Sequence, residues 1–143
     1  MNTTPVLRQS VRSSTLVKSS GSVKVFWLDR PQILARLKQA AQAMRERHPE
    51  IEWIALFGSL ARGDAVPGSD ADLLIVVSHS TESFLDRAVR YRPADVGVSV
   101  DVVAYTREEL AALLKAGNAF VRQALREGMV LTGDPDHCGK CGR

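Results

Sequence analysis

The sequence predicts an α+β (α/β) domain, a small mixed β-sheet flanked by helices. Three observations point there. At 143 residues the chain suits one compact domain with an ordinary apolar core. Its segments run helix, strand, turn, strand, helix, strand, helix, an order that lays helices against a sheet. The run Leu73 to Val77 is continuously apolar but far too short to span a bilayer, which fits a buried strand.

The elements follow in order. Val23, Val25 and Trp27 alternate with Lys24 and Phe26 and predict a short strand that need not join the main sheet. Asp29 is placed to cap a helix, Pro31 fits its first turn, and Ile33, Leu34, Leu37, Ala41 and Met44 recur on one face until His48-Pro49 ends it. Ile51 to Phe57 reads as a buried strand, followed after Gly58-Ser59 by a helical turn through Leu60, Ala61 and Arg62. Residues 63–69 carry strong turn chemistry and lead into a strand from Asp70 to Val77. A helix from about Thr81 to Tyr91 is expected to turn Phe84, Leu85, Ala88 and Val89 inward, with Arg92-Pro93 closing it. Val96 to Ala104 forms the third core strand. Thr106 and Glu109 then have capping-box spacing, and Leu110, Leu113 and Leu114 give the next helix its apolar face. After a break at Gly117-Asn118, a helix runs from Ala119 to Glu127, stops at Gly128, and Met129 to Leu131 returns as an extended segment. There is no internal repeat.

Charge and cysteine usage narrow the function classes. The formal net charge is +3, but residues 1–28 hold Arg8, Arg12, Lys18 and Lys24 and no acid, so the remainder stands at about −1. The body is therefore not a basic nucleic-acid binder, and residues 1–22 read as a basic, solvated leader ahead of a domain spanning 23–133. Residues 134–143 read as a flexible tail. Its Cys138 and Cys141, with His137, make half of a zinc-type spacing that lacks a fourth ligand. No apolar run suggests a membrane span and no cysteine framework suggests secretion, so a soluble, cytoplasmic protein is the expectation.

The chemistry concentrates in Gly58-Ser59-Leu60-Ala61-Arg62-Gly63 and Gly68-Ser69-Asp70-Ala71-Asp72-Leu73-Leu74. On a strand, positions 70 and 72 project to one side, so Asp70 and Asp72 can meet one metal cluster. Two carboxylates held together repel unless a cation lies between them, and hard divalent ions such as Mg²⁺ take oxygen ligands that triphosphate oxygens can share. Gly58 at a strand end lets backbone approach a phosphate, Ser59 adds a hydroxyl donor, and Ser69 joins the nucleotide-binding candidates. Arg62 can return a guanidinium to the same phosphates or pair at the surface with Asp64 or Glu52. Asp101 lies among valines, where a buried unpaired carboxylate would be costly. Alone it reads as a residue of an edge strand pointing to water; beside Asp70 and Asp72 it reads as a third metal ligand or a general base.

These residues resemble a family. Gly58-Ser59, a ten-residue gap, then Asp70-x-Asp72, and a later strand aspartate at Asp101 look like the signature of the nucleotidyltransferase superfamily that includes DNA polymerase β. The form Gly-Ser-x-Ala-Arg-Gly with Ser-Asp-x-Asp-Leu resembles its minimal nucleotidyltransferases, the MNT proteins, over roughly residues 30–131. The resemblance implies a polymerase β-type fold. It assigns the triphosphate to Gly58 and Ser59, two Mg²⁺ ions (Mn²⁺ being an alternative) to Asp70 and Asp72, and completion of the triad to Asp101.

The implied reaction transfers a nucleoside monophosphate, AMP from ATP, to an acceptor with release of pyrophosphate. So short a chain leaves little protein for an acceptor domain, so a partner is expected. The resemblance implies a small helical HEPN-type toxin, with this chain as the adenylylating antitoxin. Two other readings stay open: a nucleotide-binding module that neutralises a partner by contact, and a transferase acting on a small-molecule hydroxyl.

Overall fold

The computed structural model describes residues 29–93 and 96–138, with side chains to 136. The predicted strand Val23 to Trp27, the leader, Cys141 and the side chains of His137 and Cys138 lie outside the described residues.

The first helix, α1 (Arg30–Arg47), begins where Asp29 accepts a hydrogen bond from the Gln32 amide and Pro31 occupies the first turn. It buries Ile33, Leu37, Ala41 and Met44 and ends at His48. Strand β1 (Ile51–Phe57) leads through Gly58 into a single helical turn, α2 (Ser59–Arg62). Strand β2 (Ala71–Val77), helix α3 (Phe84–Arg90) and strand β3 (Val100–Thr106) follow. The predicted capping box forms: Thr106 accepts from the Glu109 amide while the Glu109 carboxylate accepts from the Thr106 amide, starting α4 (Arg107–Lys115). Asn118 caps α5 (Ala119–Glu127), and β4 (Met129–Gly133) and a 3-10 turn at Pro135–Cys138 complete the described chain.

The four strands lie in the order β3-β2-β1-β4. β1 is antiparallel to β2 and β4, whereas β2 and β3 run parallel, so the sheet is mixed as predicted. Each face carries its own core. On one, α1 packs its apolar stripe over Ile54, Leu56, Leu73, Ile75, Val77, Val102 and Ala104. On the other, Leu110 of α4 and Val121 and Ala124 of α5 cover Trp53, Ala55, Phe57, Leu74 and Val76. Ile51 and Trp53 share strand parity yet enter opposite cores, because the register slips between them.

Three boundaries and one helix face depart from expectation, α3 beginning only at Phe84, after its cap Ser83, rather than near Thr81. β2 starts at Ala71, one residue after Asp70, and β3 runs 100–106 rather than 96–104 because the chain still bends at Gly97 and Val98. In α3 Ala88 packs against the core as expected, but the buried residue is Arg87, 5% exposed, whereas Leu85 and Val89 are 75% and 73% exposed and Phe84 is 42% exposed. Polar bonding outweighs apolar burial at this position. The Arg87 guanidinium donates to both oxygens of Glu109 (2.6 and 2.9 Å) and to the Ala104 carbonyl (3.0 Å), so the helix is rotated to serve it. Arg92 similarly donates to the Val100 carbonyl. Both carbonyls lie along the outer side of β3, the terminal strand of the sheet. No described helix is long and apolar enough to cross a membrane.

Candidate active site

The site begins where β1 turns into α2. Gly58 has φ 81° and ψ −159°, a region open essentially to glycine alone. Space demands glycine as well, since a Cβ there would overlap the Asp72 carboxylate and stand 3.2 Å from its Cγ. The residue thus lets Asp72 lie against the corner. α2 is held from below by Arg30 at the start of α1, whose guanidinium donates to the Leu60 and Ala61 carbonyls at 2.9 and 3.2 Å. Those carbonyls, at the end of so short a helix, have few intrahelical partners.

Asp72 is paired in register with Phe57 of β1 on one side and with Asp101 of β3 on the other. Paired residues project to the same side of a sheet, and Leu74 and Val76, two and four residues on from Asp72, enter the α4/α5 core. Asp72 and Asp101 therefore stand side by side on that face, at its margin beyond the core. Asp70 lies in the loop just before β2, so the argument that strand alternation aligns it with Asp72 does not apply. Its charge nevertheless reaches Asp72. Burial first, then the charges of Asp101 and Asp70, push the Asp72 carboxyl above its ordinary range, with Arg62 opposing and Glu127 adding to the rise. Asp101 is exposed on a terminal strand, so the expected desolvation cost at this position is absent; what sets it apart is its register beside Asp72.

None of the three carboxylates is ion-paired with a described lysine or arginine. Among the described residues, no three His, Cys, Asp or Glu side chains stand close enough together to enclose an ion by themselves.

Arg62 projects from the end of α2 and pairs with Asp64 (3.1 Å) and with Glu127 (3.1 Å). The expected alternative partner Glu52 is engaged by Arg107 instead. Ser59 is half-buried at the first position of α2. The Ser69 hydroxyl accepts from the Val66 amide at 2.9 Å and so shapes the loop.

Glu127 is the residue that sequence reasoning missed. It lies 69 positions from Gly58, yet its Oε2 accepts from the Gly58 amide at 2.7 Å while Gln123 donates to its Oε1 at 2.9 Å. Hydrogen bonds from Gln123, ahead of those from Gly58 and Arg62, hold its carboxyl below the ordinary range. One signal was available: an acid as the last residue of a helix opposes the macrodipole, which favours cations at that end.

Comparison with known proteins identifies the family. The model of the nucleotidyltransferase domain family matches residues 37–128, more than half of the chain and all of the site from Gly58 to Glu127. A Sulfolobus solfataricus protein assigned to the nucleotidyltransferases has the same fold, with TM-score 0.50 and 23% identity over 71% of this chain and 80% of its own. A chain from a mutant of the toxin–antitoxin complex MntA–HpeT superposes with TM-score 0.51 and 19% identity, covering 74% of this chain and 79% of its own. At such identities these likenesses concern the fold. No curated protein matches the chain. The protein is a nucleotidyltransferase with a polymerase β-type fold and belongs to the nucleotidyltransferase domain family.

Proposed function

We infer that this chain transfers a nucleoside monophosphate, AMP from ATP, to a hydroxyl of a partner protein, and that it does so with divalent metal ions. The observation carrying this reading is the placement of Asp72 and Asp101 side by side on adjacent strands against the Gly58-Ser59 corner.

The donor set fits hard cations. Its atoms are carboxylate oxygens, Asp72 is crowded by negative charge, and no described cation pairs with any of the three acids. Asp70, Asp72 and Asp101 would hold two Mg²⁺ ions, with triphosphate oxygens completing a shell that the side chains leave open. When bound, such ions neutralise charge on the entering and leaving oxygens.

The chain's own residues supply position and proton handling. Gly58, Ser59 and Arg62 would orient the phosphates, with Ser69 holding the loop beside them. The acceptor hydroxyl oxygen attacks the α-phosphorus, a carboxylate oxygen of Asp101 takes its proton, and the bond from the α-phosphorus to its bridging oxygen breaks to release pyrophosphate.

The acceptor we favour is a small helical HEPN-type toxin, with this chain as its antitoxin. The sequence motif resembles the MNT proteins, and a structure from a toxin–antitoxin pair shares the fold.

The test is incubation of the purified chain and its copurifying partner with α-labelled ATP and Mg²⁺. Label should pass to the partner, and Asp70→Asn should abolish transfer while leaving the fold intact. Parental transfer by that variant would remove Asp70 from the metal role, and tight ATP binding without transfer would replace the enzyme by a binding module.

A further inference from the structure

Two of the donors assigned to the triphosphate are already occupied. The Gly58 amide donates to Glu127 at 2.7 Å, and the Arg62 guanidinium stands 3.1 and 3.2 Å from the two oxygens of the same carboxylate. Gln123 contributes a further amide bond at 2.9 Å. A backbone amide and a guanidinium from the Gly58–Arg62 corner and a side-chain amide from α5 itself thus converge on one carboxylate, the donor array that would hold a phosphate oxygen pair. The Glu127 side chain is only 10% exposed, whereas Arg62 is 45% exposed. The carboxylate is thus enclosed at the end of α5, while the guanidinium faces solvent, where an incoming phosphate can reach it.

We propose that Glu127 is an internal competitor of the nucleotide, filling the phosphate-gripping donors of the Gly58–Arg62 corner until a metal-bound triphosphate displaces it. This deepens the nucleotidyltransferase reading and rests on it. A helix ending in an acid gains nothing from its dipole. The placement is accounted for by what the carboxylate contacts, and those contacts are the ones a triphosphate needs. The consequence is a raised threshold for binding: each triphosphate must displace Glu127 from Arg62 and from the Gly58 amide before it gains bonds of its own. Asp64, the second partner of Arg62, keeps the guanidinium neutralised at the surface while it changes hands.

The opposite view, in which Glu127 merely ties α5 to the end of β1, predicts the opposite sign. Glu127→Gln keeps the shape and an oxygen that can accept from Gly58, but releases the charge on Arg62. Titration of the full chain with ATP and, separately, with inorganic triphosphate, both with Mg²⁺, should show binding about two- to fivefold tighter in this variant, the range expected for loss of one competing ion pair. Arg62→Ala should weaken binding, and in that background Glu127→Gln should give no gain, since the competition acts through Arg62. Glu127→Asp, which draws the carboxylate back by one methylene, provides a second route and should also bind more tightly than the parent.

Unchanged or weaker binding in both Glu127 variants, with the fold retained, overturns the competitor and leaves the nucleotide site standing. If neither the parent nor any variant binds either probe, the nucleotide reading falls and the competitor falls with it.

Discussion

Adding a single methyl group at Gly58 is the most discriminating perturbation of the corner. Gly58→Ala meets two separate penalties. A non-glycine residue at φ 81° and ψ −159° costs on the order of 1–3 kcal/mol in backbone strain. The new Cβ also overlaps the Asp72 carboxylate, and because Asp72 is anchored in the sheet at the turn, its carboxylate must leave the position it holds between this corner and Asp101. Gly68→Ala separates the two effects: it has φ 94° but nothing within 4 Å of the added Cβ, so it carries strain without displacing a side chain. In urea both variants should unfold earlier, by roughly 0.5–1.5 M for a loss of this size with an m-value of about 2 kcal/mol/M. In the label-transfer assay only Gly58→Ala should fail, by at least about tenfold, which corresponds to about 1.4 kcal/mol of transition-state stabilisation. Parental transfer by Gly58→Ala, or an equal loss in Gly68→Ala, would refute the assignment of Asp72 to the reaction through its contact with this corner.

Two further outcomes follow from charges the fold holds together. Asp72→Asn removes a half-buried charge crowded by Asp101 and Asp70, so without metal it should melt roughly 2–4 °C higher, as expected for about 0.5–1 kcal/mol in a domain of this size, while transfer is lost; a lower melting temperature in differential scanning calorimetry would contradict the repulsion. Tyr91 is 1% exposed, donates to Glu50 at 2.6 Å, and burial followed by that bond raises its pKa from 10.0 to about 12. A raised pKa means the contribution is complete below pH 10 and lost as pH climbs through about 12. Tyr91→Phe should therefore cost about 1 kcal/mol at neutral pH, and the gap between parent and variant should close between pH 10 and 12; a gap constant across that window would show that the hydroxyl's proton is not what stabilises the fold.

Local signals in the chain were readable because their physics is local. Asp29 with Pro31, and Thr106 with Glu109, mark helix starts through bonds spanning three residues, and both form as the sequence implies. The continuous apolar run of β2 announced a strand covered on both sides. The α3 face was misread because its apolar residues suggested burial by periodicity alone, whereas Arg87 gains a bidentate carboxylate and a strand carbonyl that no pattern within the helix displays. Asp101 was singled out for burial that the fold does not impose; its proximity to Asp72 depends on the parallel pairing of β2 with β3. Glu127 could not be connected to Gly58 from the sequence, since 69 residues and three intervening strand pairings determine where α5 ends.

The guanidinium groups of Arg87 and Arg92, bonded to the Ala104 and Val100 carbonyls, have a bearing on how copies of this chain meet one another. A terminal strand normally offers its unpaired backbone as a template for a neighbour's strand, with aggregation as the hazard. Here two of the acceptors that such a neighbour would seek are already taken on the β3 flank. Among the described residues, intermolecular extension of the sheet, during refolding at high concentration for instance, is thereby steered away from the β3 flank and toward the short β4 flank at Met129–Gly133.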